Sequence, residues 1–255
     1  SAATLLPRVT PHGDNVALVM HDPGGVGLAD LLAQGRLALA PALGVATQLA
    51  TVLAELHARG LLHNGIRPGA ALCDLKRALA WWVDVGAAYS PDTSAQSGVQ
   101  PRAELSVAHL VYASPECTGR IDACADARSD LYVFGVLLYE FLTGAPPFRS
   151  DDALALIHLQ IAGTAPAPVQ RCSDIPAAVS DIVMKLLAKA PDERYQSADG
   201  LLHDLQRCAQ EYAAHGRVEP FQLGRHDVPR RLVVASRLVG REAELQLLLE
   251  AFEAA

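Results

Sequence analysis

The sequence predicts an α+β fold that is mostly helical, and three observations lead to that prediction. Hydrophobic residues make up 51% of the 255 positions, which is enough apolar material for a buried core. Apolar residues recur at helical spacing over most of the chain, with breaker residues between the periodic stretches. Only a few short runs have the pattern of strands. We therefore expect a helix-rich globular chain.

The predicted strands are few and short. Val16, Leu18 and Met20 fall on one face of an alternating stretch that follows a polar turn, so the first 20 residues predict a hairpin. Two further brief strands are expected at 71–73 and 79–83, around a second polar turn. Apolar spacing predicts helices at about 27–34, 41–59, 128–143, 151–161, 176–189 and 197–214.

One apolar stretch, 37–54, carries no charge and has the length of a membrane-spanning helix. Pro41, Gly44 and three polar residues dilute its hydrophobicity, and its leucines recur at the spacing of a buried helix. We therefore expect a core helix, and no membrane span in this chain.

Charge and cysteine content narrow the class of protein. The formal net charge of −7 argues against a nucleic-acid partner, because tracking phosphates needs clustered Lys and Arg. The five cysteines are widely spaced without a CxxC pair, which predicts neither a disulfide framework nor a zinc site. A reducing, cytoplasmic location is expected. The chain begins with Ser rather than Met, so we also expect an upstream segment.

Five short strings follow one another in an informative order. They are LLHNGIRPGAAL (61–72), VDVG (83–86), YASPE (112–116), DARSDLYVFGVLLYEFLTGAPPF (126–148) and APDERYQSADGLLHDL (190–205). In this order and spacing they resemble the C-terminal lobe (C-lobe) of the eukaryotic-type Ser/Thr protein kinases found in bacteria. The resemblance extends over roughly residues 16–210.

The end of the chain resembles one subgroup of these proteins. GRVEPFQLGRHDV (216–228) and LVGREAELQLLLEAFE (238–253) are similar to the exit segment of large signalling proteins in which a kinase-like domain precedes an ATPase domain, sensor domains and sometimes a histidine kinase. The resemblance implies a remnant N-lobe hairpin and hinge strand at 1–20, a kinase-like C-lobe at 21–214, a linker at 215–240 and the start of an ATPase-like domain at 241–255. The partners that it implies are the ATPase and sensor domains of the parent chain and an unknown signalling protein.

The catalytic loop of the family is degenerate in this sequence. Where the family has His-Arg-Asp-Leu-Lys-Pro, the chain reads HNGIRP from His63, so Gly65 stands at the catalytic Asp position and Arg67 at that of the loop lysine. Ala70 occupies the position of the metal-binding Asn. The first lysine of the sequence, Lys76, comes after the loop, so no phosphate-anchoring lysine precedes it here.

One metal-binding position survives. Asp84 in Asp-Val-Gly matches the Asp of the family's Asp-Phe-Gly, which implies a Mg²⁺ ligand. A loop carboxylate that caps backbone amides accounts for Asp84 equally well. Arg67 either keeps a positive charge near a terminal phosphate or is a surface arginine. The resemblance also implies nucleotide contacts at Met20 and His21, and ATP and Mg²⁺ as cofactors that bind weakly or not at all.

The architectural positions of the family are intact. The resemblance implies a buried, bidentate ion pair between Glu116 and Arg194. It places Asp130 at the start of the central helix, where its carboxylate holds the backbone of the catalytic loop. His63 is expected to pack in the core beneath that loop.

These residues predict a pseudokinase, that is, a kinase-like signalling module that regulates or docks a neighbouring domain without phosphotransfer. One alternative is an active Ser/Thr kinase, truncated in this chain, that uses Asp74 or Asp84 as its base. A second alternative is a purely structural helical spacer.

Overall fold

The computed structural model describes residues 8–12, 15–19, 22–85, 87–90, 106–120 and 125–229, the first two ranges for their backbone only. Strands β1 (Arg8–His12) and β2 (Asn15–Val19) pair antiparallel, with His12 opposite Asn15. The predicted N-terminal hairpin is therefore confirmed.

A second sheet has three antiparallel strands in the order β3 (Val26–Gly27), β4 (Ala71–Asp74) and β5 (Leu79–Trp82). The approach of β3 depends on Gly25, which has a φ of +121°. A Cβ on Gly25 would lie 2.9 Å from the backbone oxygen of Cys73, so a side chain does not fit there.

Helices build the rest of the domain. They are α1 (Leu28–Ala33), α2 (Leu39–Ala58), α3 (Val107–Leu110), α4 (Ala127–Thr143), α5 (Ala153–Ala162), α6 (Pro168–Arg171), α7 (Ala177–Leu186) and α8 (Ala198–His215). Three 3₁₀ turns lie between them, at Pro68–Ala70, Pro115–Thr118 and Pro191–Glu193. The six predicted helices are all present within a few residues of their expected ends. The two short helices α3 and α6, of four residues each, were not predicted, because one turn is too short to show a period.

Helix α4 is the centre of the fold. The Asp126 side chain caps its first turn by accepting from the amide of Arg128, and Gly144 ends it with a φ of +80°. Every residue from Ser129 to Leu142 is buried, so the helix is covered on all sides.

Within the described part of the chain, α2 is long and apolar enough to cross a membrane by length and composition. In the structure it is a core helix with ten buried side chains, packed against α8 and β5. Its Leu49 carbonyl accepts from the indole of buried Trp82 at 3.2 Å. The prediction that this stretch is a buried helix is confirmed.

The chain continues to pack beyond α8, whose C-terminus is set by Gly216 with a φ of +67°. We call residues 217–229 the exit segment. Its Val218 is buried and its Phe221 lies under the guanidinium of Arg207, at 4.1 Å. The packing of the lobe thus extends past residue 214, into the predicted linker at 215–240. The end of that linker and the predicted ATPase-like start at 241–255 lie outside the described residues.

Candidate functional site

The loop between α2 and β4 begins at a buried histidine. His63 is fully buried, and its ring meets that of Trp82 edge to face, with centroids 4.6 Å apart. Burial lowers the pKa of His63, although the carboxylate of Asp130 opposes this effect. Neither ring nitrogen has a hydrogen-bond partner among the described residues. His63 therefore packs as an uncharged core residue beneath the loop, as predicted.

Asp130 holds the backbone of this loop. Its Oδ2 accepts from the amide of His63 at 2.7 Å, and its Oδ1 accepts from the amide of Asn64 at 2.9 Å. Asn64 is in the left-handed region, with a φ of 52°. A third contact was missed by sequence reasoning, because His57 Nε2 lies 2.9 Å from Asp130 Oδ2. Nothing in the spacing of His57 distinguished it from an ordinary core histidine.

Gly65 is not required by the packing of the loop. Its φ is not positive, and a Cβ would meet Ala87 Cβ at 3.4 Å and Arg67 Nη1 at 3.7 Å. These are ordinary van der Waals distances, so a Cβ fits at this position. The loop therefore lacks the carboxylate of the family's catalytic Asp at Gly65, and the packing gives no steric reason for glycine there.

The positive charge of the loop faces the surviving acidic position. Arg67 Nη2 donates to Asp84 Oδ2, and both side chains are partly exposed, by 37% and 45%. The same guanidinium donates to the Gly65 carbonyl at 3.5 Å. Arg67 is therefore more than a free surface arginine, and the Asp84 carboxylate has a cationic partner.

Ala70 lies beside Asp84, as the resemblance requires, but brings no ligand. Its carbonyl accepts from the amide of Val83 at 2.8 Å and from that of Asp84 at 3.4 Å, so the two family metal positions are neighbours. Mg²⁺ needs several oxygen ligands in octahedral geometry. Ala70 has no such atom in its side chain, so of the two family positions only Asp84 offers a side-chain oxygen. The residues present do not fit the family's magnesium site.

The predicted buried ion pair is confirmed. Arg194 donates to Glu116 through Nη1–Oε1 at 2.7 Å and Nη2–Oε2 at 3.0 Å, with side chains exposed by 0% and 3%. The three remaining N–H groups of Arg194 reach backbone carbonyls, those of Ala188, Lys189 and Arg128. Burial alone would raise the pKa of Glu116, but the Arg194 guanidinium holds it below its usual value.

A second anchor, which the sequence did not reveal, fixes the segment before Glu116. The amide of buried Gln160 on α5 donates to the carbonyls of Leu110 and Val111 at 3.0 and 2.9 Å. Tyr112 donates its hydroxyl to Glu140 of α4. A glutamine and a glutamate inside apolar helices carry no sequence signal of such a role.

The site as a whole has two parts. One part, at the loop, contains Gly65, Arg67 and Asp84. The other part, in the interior, is the Glu116–Arg194 pair. Helix α4 contacts the loop through Asp130 and the ion pair through the carbonyl of Arg128. The predicted nucleotide contacts Met20 and His21 lie outside the described residues.

Comparison with known proteins decides the family. The model of the protein kinase domain matches residues 6–205. The chain belongs to the protein kinase family.

Three relatives show how this kinase domain compares. Serine/threonine-protein kinase PknB of Mycolicibacterium smegmatis is 32% identical over 199 residues, which are 78% of this chain and 31% of that protein. The probable serine/threonine-protein kinase SCO3848 of Streptomyces coelicolor is 34% identical over 76% of this chain and 29% of its own length. Hybrid signal transduction histidine kinase G of Dictyostelium discoideum is 35% identical over 165 residues, 57% of this chain and 5% of that protein. The chain therefore spans less than a third of these relatives.

Proposed function

We propose that this kinase domain is a signalling module without phosphotransfer. The observation that carries the proposal is Gly65, at the catalytic position of a loop that is otherwise held in place and has room for a Cβ. A positioned general base contributes about 10² to 10⁴ in rate. Gly65 has no group that accepts the proton of a substrate hydroxyl.

The metal position supports the same conclusion, and two effects can be weighed there. The partly exposed Arg67–Asp84 pair contributes at most about 1 kcal/mol, so a strongly bound cation would displace it. The ligand that is missing at Ala70 is different, because the residue is fully buried and no other group can take its place. The lost ligand is therefore a stronger argument against magnesium-dependent transfer than the Arg67–Asp84 ion pair is.

What the domain keeps is its scaffold. Glu116, Arg194 and Asp130 are all engaged in buried contacts that join the segment before α4, the loop and the last helices. An ordered scaffold without transfer chemistry suits a docking role. We propose that the domain docks or regulates the ATPase and sensor domains expected in its parent chain, together with a signalling protein, in the cytoplasm. The resemblance of residues 216–228 and 238–253 to the corresponding segment of large signalling proteins supports this role, as does the similarity to hybrid signal transduction histidine kinase G.

An active Ser/Thr kinase is the second candidate, favoured by the position of Asp84 beside the loop and by the kinase relatives. Asp74 is the weaker choice of base, because its Oδ1 accepts from the amides of Lys76 and Arg77 in the β4–β5 turn. Asp84 remains the base that this candidate would use. Among the residues that the structure describes, no specific contact favours a purely structural spacer.

Incorporation of radiolabelled phosphate from ATP separates the two candidates. The full chain is incubated with Mg²⁺, ATP and a generic basic protein, and its own labelling is scored in parallel with that of an Asp84→Ala variant. We expect both proteins to label at the same background. Incorporation that Asp84→Ala abolishes would establish the active kinase instead.

A further inference from the structure

The exit segment is attached to the start of α8 by one carboxylate. Asp227 Oδ1 accepts from the amide and the hydroxyl of Ser197, both at 2.8 Å, and Oδ2 accepts from the amide of Gln196 at 2.7 Å. Ser197 is itself the N-cap of α8, through its bond from the amide of Gly200 at 3.0 Å. Three hydrogen bonds to a charged acceptor make this a strong attachment.

Gly200 makes the close approach possible. A Cβ at this helical position would lie 2.7 Å from Asp227 Cα and 2.6 Å from Asp227 Cβ. Those atoms belong to the exit segment itself, so any side chain at Gly200 would push the segment away. Glycine is unfavourable inside a helix compared with alanine. The close contact with Asp227 explains why glycine nevertheless stands at position 200.

A second attachment lies three residues earlier. The amide of Gly224 donates to Asp204 Oδ2 at 2.7 Å, and the Tyr195 hydroxyl donates to the same oxygen at 2.7 Å. Gly224 has a φ of +70°, which bends the segment back towards α8. The segment is thus held by backbone and side chain together, and by buried Val218 before it.

From Asp227 a continuous set of hydrogen bonds leads to the buried ion pair. Asp227 binds the amide of Gln196, whose side-chain oxygen accepts from Arg128 at 3.3 Å. The carbonyl of Arg128 accepts from Arg194 at 2.9 Å, and Arg194 binds Glu116. The exit segment and the Pro115–Thr118 turn therefore contact opposite ends of one polar network.

We propose that the exit segment is a coupling element, whose docking on α8 is energetically linked to the Pro115–Thr118 turn through the network that joins Asp227 to Glu116. A change in the segment that ends at this turn would then alter how firmly residues 217–229 are held. The part of the chain that follows residue 229 would then be attached to a segment that is held more or less firmly against α8. The coupling rests on contacts in the scaffold, so it holds whether or not the domain transfers phosphate.

The first half of the test loosens the exit segment and observes the turn by hydrogen exchange on the full chain. Asp227→Asn replaces one acceptor oxygen with an NH2 donor, which then faces a donor of Gln196 or Ser197, and Gly200→Ala introduces the steric conflict while favouring the helix. We expect both variants to lower exchange protection in 217–229. We also expect about fivefold or greater loss of protection at the Cys117 amide, which donates to Ser114 in the turn. Fivefold is the lower end of coupling between linked sites.

The second half reverses the direction. Ser129 donates to Glu116 Oε1 at 2.7 Å, so Ser129→Ala weakens the ion-pair site while leaving Arg194 paired. Coupling is reciprocal, so exchange protection in 217–229 should fall by a similar factor. Asp174→Asn is the matched control, because it removes an exposed ion pair with Arg36 outside the network. The amides in the second half of α4 give the global reference in every variant, because they lie away from the first turn, where the Ser129 hydroxyl also accepts from the amide of Asp126.

Each outcome decides the proposal. Reciprocal losses, with the second half of α4 and the Asp174→Asn control unchanged, support the coupling, as does non-additivity in the Asp227→Asn/Ser129→Ala double variant. If the exit segment loosens while the Cys117 amide keeps its protection, the coupling is wrong. If neither Asp227→Asn nor Gly200→Ala loosens the segment, the docking itself is wrong.

Discussion

All five guanidinium N–H groups of Arg194 donate hydrogen bonds inside the protein, two of them to the carboxylate of Glu116. Because both side chains are buried, neither can turn to water if its partner is lost. The pair joins the Pro115–Thr118 turn to the region before α8. Loss of either partner is therefore expected to destabilise the domain.

Arg194→Ala should lower the free energy of unfolding by about 3–5 kcal/mol, because it leaves the Glu116 carboxylate buried without a cation. Such a loss is a large fraction of the roughly 5–15 kcal/mol that stabilises an ordinary domain. Urea unfolding followed by circular dichroism measures the difference. Arg36→Ala, which breaks an exposed pair with Asp174, is the control and should leave the midpoint unchanged. A similar small effect in both variants would contradict this account.

Gly135→Ala should destabilise the contact between α4 and α7. The added Cβ would lie 2.6 Å from Leu186 Cβ, and an overpacked core costs about 1–3 kcal/mol. Thermal unfolding of the variant should show a lower Tm. Gly69→Ala is the matched control, since nothing lies within 4 Å of its Cβ position. An unchanged Tm in Gly135→Ala would mean that α4 and α7 can move apart to admit the Cβ without loss of stability.

Stability should fall as the pH drops below the ordinary histidine value of 6.5, in part because of His63. Burial lowers the pKa of His63, so between its folded and unfolded pKa values the unfolded chain binds a proton that the folded chain does not. The free energy of unfolding therefore decreases towards acid in that window, by at most about 1.4 kcal/mol per pH unit from this group.

Urea midpoints at pH 7.5, 6.5 and 5.5 test this expectation. His63→Phe keeps an aromatic ring against Trp82 without a titrating group, so its midpoints should vary less over this range. His158→Gln, at an exposed position on α5, is the control and should follow the wild type. Parallel curves for all three proteins would show that His63 does not control the acid response.

Gly65→Asp should fold normally and still not transfer phosphate. A Cβ fits there at 3.4 Å or more from its neighbours, so the fold accepts the change. The carboxylate restores a base, but the ligand missing at Ala70 is not restored. Radiolabelled ATP assays should give the same background for Gly65→Asp and for Gly65→Asp/Asp84→Ala. Labelling by the single variant alone would mean that Gly65 is the sole catalytic defect.

Much of the fold could be predicted because its signals are local. Helix periodicity located the six long helices, and the turn around residues 74–77 located β4 and β5. The resemblance to the kinase family implied that Glu116 and Arg194 are partners across 78 positions of sequence, and the structure confirms the pair. The anchors at Gln160 and His57 could not be found in this way, because each is one polar residue in an apolar helix whose partner comes from a distant segment.

The sequence by itself determined the helix-rich fold, the absence of an acid at Gly65 and of a metal-binding side chain at Ala70, since side-chain chemistry and local periodicity need no tertiary contacts to be read. Only the tertiary structure decided that Arg67 turns to Asp84 and that Asp227 docks against Gly200. Side-chain direction and the close approach of two backbones depend on how distant elements pack, and no local pattern encodes them.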